Sequence, residues 1–327
     1  MKRRLVTITI AIVAGLMLAS CSKKVELTGA GATFPEPYYT MIFKNYHEET
    51  GVNVSYGGVG SGGGVRSLKD EVVDFCGTDV IPDAEEAEGM KPVVYIPTCR
   101  GAVVLSYNIP GVTRLNLNAS VITAIYLGDI VKWNDARLQA INSDVTLPDL
   151  AITPVYRSDG SGTTFNFSAF MNDADSTWQS RLGKGKSLSF AVGVASKGNP
   201  GVAGSVANTS GAIGYIGSEY AFSMNIPVAS ILNAAGQYAE PTSQAIMEGS
   251  YPICCTTWIG IYKEQNYAGR SLLQAQSVLD LMHYMLRPEV QSLAESLHYA
   301  ALSEDVRQEA LKSLEQVTYN GEPVAAK

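Results

Sequence analysis

Val52-Asn53-Val54-Ser55-Tyr56-Gly57-Gly58-Val59-Gly60-Ser61-Gly62-Gly63-Gly64-Val65 changes its period halfway along. Val52, Val54 and Tyr56 alternate, as in a half-buried strand; Val65, Leu68 and Val72 then follow at helical spacing. Between them lies a glycine loop built to bring backbone N–H groups close to a guest. Two further junctions have the same form. One is Thr28-Gly29-Ala30-Gly31-Ala32-Thr33-Phe34-Pro35, after which Pro37 suits a helix's first turn and Tyr39, Ile42, Phe43 and Tyr46 share a face. The other is Arg157-Ser158-Asp159-Gly160-Ser161-Gly162-Thr163-Thr164, followed by Phe167, Phe170 and Met171. Recurring strand–loop–helix units predict an α/β fold with ligands at the carboxyl ends of strands. A helix start carries unpaired N–H donors and partial positive charge, so three of them with one arginine suit a small, multiply charged oxyanion.

Working outward, Val93–Pro97 and Ala102–Asn108 read as one long extended stretch, and 251–262 as a second. Two such crossings far apart in sequence predict two strands linking two lobes, 25–100 with 255–327 and 101–254. The tail is helical: Leu272 to Leu286 is periodic, Pro288 opens another helix, and Ser303 can cap a third. There is no tandem repeat and no low-complexity tract.

The first twenty residues have a basic start at Lys2, Arg3 and Arg4 and an apolar run from Leu5 to Leu18, too short to span a membrane stably. Leu18-Ala19-Ser20-Cys21 resembles the lipobox of bacterial lipoproteins. That resemblance implies a signal peptide over 1–20, diacylglycerol on Cys21, a short tether over 21–26, and an extracytoplasmic body lipid-anchored to a bacterial membrane. Removing residues 1–20 takes away Lys2, Arg3 and Arg4 and no acidic residue, so the formal charge moves from −7 to −10. An acidic chain argues against a nucleic-acid partner. It also sets a problem for an anion binder, because the long-range field is repulsive and affinity must come from local donors.

Cys76, Cys99, Cys254 and Cys255 permit three pairings. A bond between adjacent Cys254 and Cys255 would strain the backbone, and buried free thiols are the favoured reading. The spacing fits no zinc site, and His47, His283 and His298 share no metal spacing. No cofactor or metal is expected.

The chain resembles the PstS family, the phosphate-binding proteins of bacterial ABC phosphate importers. The likeness is carried by Leu27 to Pro35, Val73-Asp74-Phe75 with Thr78-Asp79, and Tyr126-Leu127-Gly128-Asp129-Ile130 with Lys132-Trp133-Asn134. It continues through Arg157 to Thr163 and Gly211-Ala212-Ile213-Gly214-Tyr215. It implies a two-lobed periplasmic-binding-protein fold of type II, a monomer that closes on inorganic phosphate and presents it to an ABC permease with its ATPase. By position it implies phosphate contacts at Thr33, Phe34, Ser61, Asp79, Arg157, Ser161, Gly162 and Thr163. Asp79 would accept the ligand's proton, and Asp159 would brace Arg157.

Those types suit the chemistry. A carboxylate accepts a hydrogen bond from a protonated phosphate but meets an unprotonated oxyanion such as sulfate with an unpaired buried charge. Arginine gives charge-assisted, bidentate donation.

The rival enzyme reading is a dinucleotide-dependent oxidoreductase. Gly58-Val59-Gly60-Ser61-Gly62-Gly63 satisfies G-x-G-x-x-G, and Asp79 is spaced to reach a ribose. The export leader and the two further anion loops argue against it. Gly185-Lys186-Ser187 is no Walker loop, since Ser180 stands where the leading glycine belongs. No catalytic constellation is visible, so the protein is read as no enzyme. A sensor or adhesin on the same fold is the other alternative.

Overall fold

A computed structural model describes residues 25–326. The expected signal peptide over 1–20, the expected lipidation at Cys21 and most of the expected tether over 21–26 lie outside the described residues. In chain order come β1 (Glu26–Gly31), α1 (Glu36–Thr50), β2 (Asn53–Gly58), α2 (Ser61–Lys69), β3 (Phe75–Thr78) and β4 (Val93–Tyr107). Then follow β5 (Asn116–Leu117), α3 (Ala119–Leu127), α4 (Ala136–Ala140), β6 (Thr153–Arg157), α5 (Gly162–Ala174), α6 (Ser176–Arg181), β7 (Val194–Ser196) and α7 (Gly198–Asn208). The chain continues through β8 (Ala212–Gly217), α8 (Ser218–Ser223), β9 (Ser230–Leu232), β10 (Tyr238–Ala239), α9 (Ser243–Glu248), β11 (Cys254–Tyr262) and α10 (Leu272–Met285). It ends with α11 (Pro288–Gln291), a 3-10 turn over Ser292–Leu297, α12 (Glu304–Leu314), β12 (Thr318–Tyr319) and β13 (Glu322–Pro323).

Eight strands lie in the order β2-β1-β3-β11-β4-β8-β6-β7. β1 pairs in parallel with β2 and β3, and β6 in parallel with β7 and β8; helices make the crossovers. The two parallel groups are joined through antiparallel strands in the middle. β4 pairs with β11 from Val93 to Ala102 and then with β8 from Val103 to Tyr107. One fifteen-residue strand therefore runs out of one group and into the other, which makes the fold two-lobed. Its nearly unbroken apolar run follows from burial on both faces, since residues 101–107 are all buried. The second crossing is shorter than its sequence suggests: β11 begins at Cys254, and 251–253 reach it as bends.

Each lobe has its own aromatic packing. Tyr39, Phe43, Tyr56 and Phe75 interlock in one, with Tyr39–Phe43 centroids 5.5 Å apart. Tyr126, Phe167, Trp178 and Tyr215 do so in the other, with Phe167 stacked on Tyr215 at 4.4 Å. Trp133 is core, its indole N–H donating to the Gly211 carbonyl at 3.1 Å.

Several local expectations are corrected. Val72 is 67 % exposed and lies beyond α2, because Glu71 turns left-handed at φ 58° and the helix has ended. Ser303 occupies the N-cap position of α12, yet its hydroxyl makes no capping bond. His298 closes the 3-10 turn in the left-handed region. All four cysteines among the described residues are free thiols, with Cys76, Cys99 and Cys255 buried.

Candidate functional site

The predicted residues stand at the carboxyl ends of four strands drawn from both parallel groups, and Asn199, which was not predicted, joins them from a fifth. Thr33 and Phe34 follow β1, Ser61 follows β2, Asp79 follows β3, Arg157 ends β6, and Asn199 follows β7. Loops that leave parallel strands at one edge converge there, so residues distant in sequence meet.

Two hydrogen-bonded chains tie them together. In the first, the Thr257 hydroxyl donates to Asp79 Oδ1 at 2.8 Å, and Ser61 Oγ lies 3.3 Å from Asp79 Oδ2. Ser61 Oγ in turn accepts from the Asp79 amide and from the Gly162 amide, both at 3.2 Å. In the second, Arg157 Nη1 donates to Thr163 Oγ1 at 3.3 Å. Asn199 Nδ2 donates to Thr163 Oγ1 at 3.1 Å and to Thr33 Oγ1 at 3.0 Å, and the Asn199 amide adds a bond to Thr33 Oγ1 at 2.9 Å. Both chains cross between the parallel groups. So do the Gly62 amide donating to the Gly160 carbonyl at 2.9 Å and the Tyr220 hydroxyl donating to the Thr33 carbonyl at 2.6 Å. The cleft is closed in this structure.

Arg157 and Asp159 form a two-pronged pair, Nε to Oδ1 at 2.8 Å and Nη2 to Oδ2 at 2.5 Å. The Arg157 side chain is 1 % exposed, so this is no surface ion pair. Asp159 also accepts from the Gly198 amide at 3.0 Å. Burial pushes the Asp159 carboxyl up, but Arg157 outweighs it and holds the group below its usual range. Asp79 behaves differently. Desolvation raises it from 3.8 to about 6, opposed by the Thr257 hydroxyl, the Arg157 charge and the Ser61 hydroxyl. It is a buried carboxyl near its switching point, suited to exchange a proton with a guest.

The helix starts supply neutral donors. Thr33 and Phe34 amides have no hydrogen-bond partner among the described residues. The Phe34 ring belongs to the core, edge-on to Tyr299 at 5.9 Å, so Phe34 offers only its backbone. Gly60 (φ 81°) swings the chain into α2 with Ser61 first. Ser161 can still donate to a guest, because its hydroxyl oxygen is used here only as an acceptor. Its Oγ caps the Thr164 amide at 3.0 Å, and its N–H donates to the Lys186 carbonyl at 2.9 Å. The open amide at this start is therefore that of Thr163, while Gly162 already reaches Ser61.

Sequence reasoning missed Asn199 and Thr257, both fully buried. Asn199 sits at the start of a fourth helix, α7, whose opening Gly198-Asn199-Pro200 is a legible turn signal. Thr257 carries no local signal; its value comes from β11 pairing beside β3. Glu219 was missed too. It is 3 % exposed, and among the described residues neither carboxyl oxygen is within hydrogen-bond geometry of a partner. Burial holds it well above the usual carboxylate range. Among the described residues no cluster of histidine, cysteine or carboxylate residues could hold a metal, and no helix is long and apolar enough to cross a membrane.

Two lobes joined by a shared strand, with helix starts and an arginine meeting in the cleft, define a solute receptor of the periplasmic-binding-protein class. A family model described as the PBP superfamily domain matches residues 19–289. The phosphate-binding protein PstS of Xylella fastidiosa is 32 % identical over 309 residues, covering 87 % of this chain and 83 % of that one. The PstS of Haemophilus influenzae is 37 % identical over 224 residues, covering 68 % and 67 %. The crystal structure of a phosphate-binding protein from Stenotrophomonas maltophilia, at 18 % identity, superposes with a TM-score of 0.68 over 88 % of this chain and 93 % of that one. The chain belongs to the PstS family.

Proposed function

We propose that the protein binds inorganic phosphate in the closed cleft, outside the cytoplasm, and delivers it to the membrane subunits of an ABC permease whose ATPase drives transport. Asp79 carries this reading: a buried carboxyl at about 6, joined through Ser61 to the start of α5 and acted on by the Arg157 charge. A protonated phosphate oxygen donates to Asp79. Its other oxygens take the amides of Thr33, Phe34, Ser61 and Thr163 and the guanidinium of Arg157, which Asp159 holds in register. Thr33, Ser61, Ser161 and Thr163 hydroxyls rotate towards the guest, and the Gly162 amide turns to it from Ser61 Oγ. Neutral donors do most of the work, so an acidic protein can hold an anion.

The proposed lobes are 25–100 with 255–327, and 101–254, moving about the β4 crossing. The receptor is a monomer, held to the membrane by lipid on Cys21 after loss of residues 1–20; the lipobox likeness supports that part.

Titration calorimetry with phosphate, sulfate and NAD tests the reading. Phosphate should bind, sulfate should bind about 100-fold more weakly or not at all, and NAD should give no heat. Equal affinity for sulfate would remove Asp79 from the role given to it. Heat from NAD would favour the glycine loop of α2 as a dinucleotide site.

A further inference from the structure

The segment Gly185-Lys186-Ser187, which fails as a phosphate loop, lies at the mouth of the cleft. It is clamped to α5, the helix whose start forms part of the anion site. Ser161 donates its N–H to the Lys186 carbonyl at 2.9 Å, and the Gly185 amide donates to Ser168 Oγ at 3.1 Å. From there Lys186 Nζ reaches the other side of the cleft and donates to Glu86 Oε2 at 2.5 Å. The Lys186 side chain is only 11 % exposed, against 38 % for Glu86. The same ammonium acts electrostatically on Asp79. The groove it closes has a volume of about 790 Å³ and is also lined by Arg66, Lys69 and Lys184, none of which forms an ion pair among the described residues. Asp83, Glu85 and Glu86 line the same groove, so four cations stand against three carboxylates at the opening of the anion site of a chain whose net charge is −7.

We propose that Lys186 gates this cleft. With the lobes apart its ammonium is the first cation an incoming phosphate meets. On closure the phosphate passes inward to Arg157, and Lys186 takes the Glu86 carboxylate instead, latching the two sides. The inference rests on the phosphate reading above. A pair that spans two moving bodies exists only when they are closed, so its worth falls on the rate of opening; the open cation's worth falls on the rate of association.

Stopped-flow kinetics of phosphate binding separate the two roles. Glu86→Gln should raise koff about fivefold without lowering kon, since it also removes a negative charge from the mouth. Lys186→Met should raise koff similarly, lower kon about threefold and flatten its dependence on ionic strength. The reversed pair, Glu86→Lys with Lys186→Glu, should restore koff. A wild-type koff in Glu86→Gln overturns the latch, and a wild-type kon in Lys186→Met at low salt overturns the gate. Calorimetry on the wild type separates these from failure of the phosphate reading itself, which would show as no phosphate heat.

Discussion

The Asp79 carboxyl is buried, yet its pKa is raised only to about 6, because the hydroxyls of Thr257 and Ser61 and the Arg157 charge offset part of the desolvation. Ligand choice at this residue should therefore depend on pH. Above about 6 the carboxylate accepts from phosphate and repels sulfate; below it the neutral acid can donate, and the preference weakens. The phosphate-to-sulfate affinity ratio, measured by calorimetry from pH 5 to 8, should fall as pH drops through about 6. In Asp79→Asn the ratio should be low and flat across that range. Arg157→Ala should weaken phosphate binding by about 2–5 kcal/mol, since it removes a charged donor and strands the buried Asp159. Titration of that variant showing wild-type affinity would exclude Arg157 from the site. Asp79, Arg157 and Asp159 were singled out by the family resemblance, which rests on several short motifs occurring together and in order. Asn199 and Thr257 were not, since a buried amide or hydroxyl shows its use only once its neighbours are placed.

At the scale of elements, α2 begins with Ser61-Gly62-Gly63-Gly64, a run that costs about 1 kcal/mol per glycine in helix propensity. The helix persists because Val65 and Leu68 are buried and because the missing side chains allow backbone to approach backbone. A Cβ on Gly64 would lie 2.4 Å from the Gly31 Cα and 2.6 Å from the Ala30 carbonyl oxygen. Gly64→Ala should therefore destabilise the fold by about 1–3 kcal/mol despite its better helix propensity, as read by urea unfolding. It should also displace the Ser61 amide and weaken phosphate binding in the same sample. The strand–loop–helix pattern predicted α1, α2 and α5 correctly. It overran at Val72, because helical spacing continues in the sequence after the backbone has turned at Glu71.

For the whole molecule, the junction between the two parallel groups hides a cost. Glu219 lies at the start of α8, next to Gly217, whose added Cβ would meet Glu219 Oε1 at 2.1 Å. Burial raises its pKa well above 4.5, with Tyr299 and Asp79 among the groups that act on it. A carboxyl whose folded pKa lies above its unfolded value contributes stability that is complete below about 4.5 and is lost as pH rises. Glu219→Gln keeps the shape and removes that loss. Its Tm should match the wild type near pH 4 and exceed it at pH 8; a constant difference across pH would show that Glu219 is paired or ionised in the fold.

The sequence by itself determined the class of fold, the three helix starts and the long strand that joins the lobes. Each of these is local, a period or a glycine loop, whereas Asp79 and Arg157 were assigned their roles only through a resemblance carried by several motifs in order. Only the tertiary structure decided that the Ser161 N–H goes to the Lys186 carbonyl while its hydroxyl oxygen caps Thr164, that Asn199 ties Thr33 to Thr163, that Thr257 holds Asp79, and that Lys186 faces Glu86. These depend on which strand edges meet and on how closely two lobes approach, and burial and register between distant segments leave no period in either segment alone.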